Sequence, residues 1–133
     1  MKATVNACLF LLAMALAVGC GPSGPVTSQV AGSVTLDGQP LDDAVIEFQP
    51  TDGARGMSLD IVGGQFSGEV PIGPKTVRFA AMRAAKPDPR LSAHEVQNPL
   101  QNILPERYGF DSTLRLELTE TPATDLKYEL TSR

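Results

Sequence analysis

An all-β fold, a seven-stranded antiparallel β-sandwich, is what the sequence predicts for residues 29–133. Three observations predict it. Apolar and polar residues alternate with a period of two in segment after segment from Gln29 onward, the pattern of a strand with one buried and one wetted face. Clusters rich in Gly and Pro punctuate these segments, and the chain holds 12 Gly and 11 Pro. Apolar stripes of helical period are missing from the same region, which excludes a parallel sheet linked by crossover helices.

The strands follow in order. Val30, Val34 and Leu36 alternate with Ala31, Ser33 and Thr35, and Asp37-Gly38 then supplies the positive φ of a tight turn. Ala44, Ile46 and Phe48 make the apolar face of a second strand that stops at Pro50. Met57, Leu59 and Ile61 lead through Gly63-Gly64 into Phe66, Gly68 and Val70, which reads as a hairpin. Pro71-Ile72-Gly73-Pro74 turns the chain into a fifth strand carrying Val77, Phe79 and Ala81. Leu114, Leu116 and Leu118 make the sixth, and after Pro122 the seventh carries Leu126, Tyr128 and Leu130. Two such sheets bury their apolar faces most simply by packing against each other.

Residues 84–110 break the pattern, with Pro87, Pro89, Pro99 and Pro105 spread through them and room for one helical turn at 92–97. A loop of that length in a compact domain is uncommon and often functional. It is expected to cross one end of the sandwich, and two readings stand open: a contact surface, or a strap pinned to the core by Leu100, Ile103, Leu104 and Tyr108.

The N-terminus has a different character. Lys2 precedes a charge-free apolar run, Ala7 to Val18, that ends in small residues before Cys20, the layout of a secretory signal peptide. As a helix the run is about 18 Å long, short of the roughly 20 residues a membrane span needs. Leu16-Ala17-Val18-Gly19-Cys20 resembles the lipobox of bacterial lipoproteins, which implies cleavage after Gly19 and lipidation of Cys20. The other readings are an ordinary signal peptide, with Ala17 and Gly19 as the small residues before the cut and Cys20 left as a free thiol, and a buried N-terminal helix of a cytosolic protein. Either cut discards Cys8, so the mature chain can form no internal disulfide. The expected organisation is a signal peptide at 1–19, a flexible tether at 20–28 rich in Gly, Pro and Ser, and the sandwich at 29–133.

The first strand and its turn carry a resemblance. Gly32, Val34, Asp37, Gly38, Pro40 and Leu41 match the opening element of carboxypeptidase regulatory-like domains, small sandwiches of transthyretin-like or immunoglobulin-like kind. The segment Phe66 to Phe79 is similar to their later hairpin, and Ile103-Leu104-Pro105-Glu106-Arg107-Tyr108 resembles short planctomycete-type lipoproteins built on this domain. The likeness implies an envelope or extracellular role and carries over no catalytic residue.

Candidate chemistry is sparse. His94 is the single histidine, and with Cys20 it cannot complete the three or four N/S ligands of a zinc site. Asp37, Asp42, Asp43 and Asp52 cluster around the second strand without the spacing of a calcium loop, so they read as turn acids. The formal net charge of −4 gives no footprint for a nucleic-acid backbone. No cofactor and no metal is expected. Arg83, Lys86, Arg90, His94 and Tyr108 are the candidate interaction residues of the long loop. The expected function is that of a lipid-anchored, non-catalytic envelope module that contacts membrane through Cys20 and envelope proteins through that loop. The alternative is a carbohydrate- or substrate-binding accessory to an exported hydrolase. No oligomeric state follows from the sequence.

Overall fold

A computed structural model describes residues 19, 21, 24–86, 88–90 and 99–133. The signal segment 1–18, Cys20 and the expected helical turn at 92–97 lie outside the described residues. The strands are β1 (Thr27–Leu36), β2 (Gln39–Pro40), β3 (Ala44–Pro50), β4 (Met57–Ile61), β5 (Gln65–Pro71), β6 (Gly73–Ala80), β7 (Met82–Ala84), β8 (Leu100–Asn102), β9 (Arg115–Leu118) and β10 (Ala123–Leu130). The described residues thus form ten strands where seven were expected; β2, β7 and β8, of two or three residues each, are the additions. One sheet has β1 at its centre, flanked by β10 on one side and by β2 and β5 on the other. A second runs β4-β3-β6-β9, and β7 pairs only with β8.

The two large sheets face each other across one apolar core. Val30, Val34, Phe66, Val70 and Leu130 from the first meet Ile46, Phe48, Ile61, Val77, Phe79 and Leu118 from the second, all buried. Aromatic rings stitch the layers: Phe48 to Phe66 at 6.3 Å and Phe79 to Tyr128 at 5.2 Å between centroids. Burial of alternate residues is what the period of two dictates, as in β3, where Ala44, Ile46 and Phe48 face in and Val45 and Glu47 face out.

Two sequence expectations about pairing are corrected. The segments Met57–Ile61 and Phe66–Val70 do not form a hairpin, because β4 pairs with β3 in one sheet and β5 pairs with β1 in the other. Their only ladder contact is the bridge between Val62 and Gln65, closed over Gly63 and Gly64 at φ 58° and 76°. Alternation fixes which side chains face inward, and both Ile61 and Phe66 do, but it does not say to which sheet a strand belongs. The sandwich is also not wholly antiparallel: β1 and β10 run parallel. The cause is the chain path. β9 finishes beside Gly73, at the end of the molecule where β1 begins, so a strand that crosses over there must run alongside β1 in the same direction.

The turn element after β1 has a structural use at each position. Gly32 lies where a Cβ would collide with the backbone oxygen of Leu126 on β10. Val34 is buried; Asp37 and Gly38 take φ 51° and 82°, which a two-residue turn between β1 and β2 requires. Pro40 packs beneath Gly64, and Leu41 enters the core.

The strand β1 starts at Thr27, two residues inside the segment expected to be tether. Ser28 is buried and its hydroxyl donates to the Thr121 carbonyl at 3.1 Å, while the Val26 carbonyl accepts from the Ile72 N–H at 3.0 Å. The registers then define two ends. Thr27, Pro50, the Pro71–Gly73 turn and Leu118 lie at one; Leu36, Ala44, Ile61, Ala80 and Leu130 lie at the other.

Candidate functional site

The long loop leaves the sandwich at the end opposite Thr27, directly after β6. It is not structureless from its start: Met82, Arg83 and Ala84 pair with Asn102, Gln101 and Leu100, and the Ala85 N–H donates to the Pro99 carbonyl at 3.0 Å. The ribbon is fastened to the body from both strands. The Arg83 guanidinium donates to the carbonyls of Asp42 and Asp43, the latter at 2.7 Å. The Asn102 Oδ1 accepts from the N–H groups of Ala81 at 3.0 Å and Leu104 at 3.2 Å, and Leu104 enters the core.

A 3₁₀ turn follows at Glu106–Tyr108 and holds the C-terminal residues. The Arg107 guanidinium donates to the Thr131 carbonyl at 2.8 Å and to the Thr131 hydroxyl at 2.9 Å, and also reaches the Arg133 carbonyl. The Thr131 N–H donates to the Tyr108 hydroxyl oxygen at 3.0 Å. From the other side the Ser132 N–H donates to the Asp37 carboxylate at 3.0 Å. Hydrogen bonding from Ser132, with the Arg133 charge adding to it, holds the Asp37 carboxyl below its ordinary value. The N–H groups of Gly63 and Asp43, then the Arg83 charge, do the same for Asp42. The Thr131 hydroxyl and Arg107 lower the Tyr108 phenol, whereas burial raises that of Tyr128.

The five candidate loop residues therefore separate. Arg83 and Tyr108 have their polar groups engaged by the body of the protein. Lys86 and Arg90 are exposed, and the Arg90 backbone N–H donates to Asp88 at 2.9 Å. His94, like Cys20, lies outside the described residues. Of the expected pins, Leu104 and Tyr108 pack on the core, but Leu100 and Ile103 are exposed and do not. The turn acids behave as such: Asp42 accepts from Gly63 at 2.7 Å and Asp52 from Ala54 at 2.9 Å. Among the described residues no three His, Cys, Asp or Glu side chains converge on a metal position, and no helix is long and apolar enough to cross a membrane.

No family model matches the chain, and no curated protein matches it. Among solved structures, the chain is similar to a DUF3823 family protein from Parabacteroides merdae ATCC 43184, at 16% identity and a TM-score of 0.43. The match covers 81% of this chain and 47% of the other, so the chain spans about half the length of that protein.

Sequence reading missed Phe110. It is 91% exposed, and its ring lies 5.6 Å from the Arg78 guanidinium carbon, at the rim of a crevice of about 170 Å³ on the outer face of the second sheet. Glu47, Ser58 and Asn102 share that crevice, and the Arg78 Nε–H is buried there without a partner. A large apolar residue between Gly109 and Asp111, in an otherwise polar turn, was the available signal.

Proposed function

We propose that this chain is a lipid-anchored, non-catalytic module of the bacterial cell envelope, built on a sandwich of the carboxypeptidase regulatory-like kind, which works by contact with envelope proteins. The observation that carries the reading is the layout of the two ends. The apolar N-terminal run, the Leu16–Cys20 motif and the tether lead into β1 at Thr27, while the loop and the C-terminal residues occupy the far end of the sheets. The tether left between Cys20 and Val26 spans about 20 Å when extended, and the ten residues of β1 add about 33 Å beyond it. The loop end is thus held well clear of the anchor point. One acyl chain binds a bilayer marginally and two or more hold it, at about 0.8 kcal/mol for each buried CH₂.

Replacement of Cys20 by Ala in the full chain tests the anchor. Detergent-phase partition should be lost, and mass spectrometry of the wild type should find a diacylglyceryl adduct on a chain that starts at residue 20. Unchanged partition of Cys20→Ala would overturn the reading.

A second reading, a carbohydrate- or substrate-binding accessory, is favoured by the crevice at Phe110. A cavity of about 150 Å³ suffices for a benzene-sized ring, and here an exposed aromatic ring stands beside the donors and acceptors of Arg78, Glu47, Ser58 and Asn102. Titration with maltohexaose, cellohexaose and chitohexaose, followed by NMR at residues 45, 47, 78 and 110, decides it. Absence of shifts with all three would remove this reading.

A further inference from the structure

We infer that the open edge of β10 pairs with the same edge of a second copy, antiparallel about a two-fold axis at Tyr128. β10 is bonded to β1 alone, so among the described residues its other edge carries no strand. A groove of about 440 Å³ runs along it, lined by Lys127, Tyr128, Glu129 and Leu130, with Tyr108 and Leu114 opposite. Successive strand residues point to opposite faces, so a groove touching four in a row follows the strand edge itself. The core is least covered on this side: the inward residues Leu114, Leu116, Leu126 and Tyr128 are only partly buried, while those of β3 and β6 are fully so.

The charges name the occupant. On the outer face β10 presents Asp125, Lys127 and Glu129, and the β1 neighbours of the last two are Ser33 and Thr35, which are uncharged. In a two-fold antiparallel pair centred on Tyr128, Lys127 faces Glu129 of the other copy twice, and Leu126 faces Leu130 on the apolar side. Centred on Lys127, the same strand would set lysine against lysine and Asp125 against Glu129. Centred on Leu126, it would set Lys127 against Asp125 twice, but Glu129 against Ala123 and Thr124 against Tyr128, without the Leu126–Leu130 contact of the Tyr128 centre. Like charges directly opposite destabilise a pair and opposite charges support it, and an isologous contact of this kind closes at two copies. The pairing goes beyond the anchored-module reading and does not require it.

Light scattering that resolves protein mass, on the full chain in detergent, tests this. The wild type should be a dimer. Lys127→Glu and Glu129→Lys should each weaken association by about tenfold, and the double variant should restore it. A monomeric wild type overturns the proposal, as does a dimer indifferent to both single changes or a double variant that fails to recover. Dissociation by Lys127→Glu with Glu129→Lys harmless overturns the Tyr128 centre. Detergent-phase partition of Lys127→Glu should match the wild type, so loss of the dimer is read separately from loss of the anchor.

Discussion

Gly32 and Phe48 show how different demands fall on single residues of the same sandwich. Gly32 is needed for its lack of a side chain, since a methyl group there meets the Leu126 backbone, which cannot rotate away. Gly32→Ala should cost about 1–3 kcal/mol, the usual range for forcing atoms into a packed site. Phe48→Ala, which empties the centre of the core, should cost about 3–5 kcal/mol. Thermal melts check both, at about 4–8 °C per kcal/mol for a domain of this size. The two tyrosines offer a second test. Tyr108 ionises below the ordinary phenol value and Tyr128 above it, so phenolate absorbance should rise in two phases, and Tyr108→Phe should remove the earlier one. The raised group favours the neutral ring in the fold, so the stability it carries is lost as the pH climbs past the ordinary value.

At the level of elements, the turn at Glu106–Tyr108 and the segment Thr131–Arg133 form one fastening. Tyr108→Phe removes the acceptor for the Thr131 N–H, and exchange of that amide should accelerate while amides of β3 and β6 stay protected. Equal rates in variant and wild type would mean that the contact holds nothing. This fastening was not legible in the sequence, because it joins residues that differ by more than twenty positions and Arg107 reaches backbone oxygens, which any residue supplies. The long strands were legible, since each repeats its alternation over several residues. β2, β7 and β8 are too short to show a period. Sheet membership escaped for another reason: Gly63-Gly64 looks the same whether it closes a hairpin or carries the chain across the core. Of the candidate site, the loop was visible as a gap in the pattern. Its ribbon was not, as Arg83 and Lys86 read equally well as a charged surface.

For the whole molecule, acid should act at one end first. Asp37 and Asp42 titrate below the ordinary carboxylate value when folded, so the stability they contribute is complete above that value and is lost as the pH falls through it and below. Denaturation midpoints measured from about pH 5 to pH 2 should fall less steeply in Asp37→Asn than in the wild type, and a parallel fall would count against this role. Both groups sit beside the loop and the C-terminal residues, far from Thr27. The ribbon of β7 and β8 closes the base of the long loop. Because its six residues and the Arg83 contacts fix where the excursion leaves and returns, whatever is spliced beyond Ala85 is insulated from the sandwich. Doubling such an excursion costs only about 0.6 kcal/mol, so a Gly-Ser insert between Asp88 and Pro89 should leave the melting temperature within a few degrees of the parent. The molecule is then a ready carrier, able to display foreign sequence of changing length on an unchanged frame.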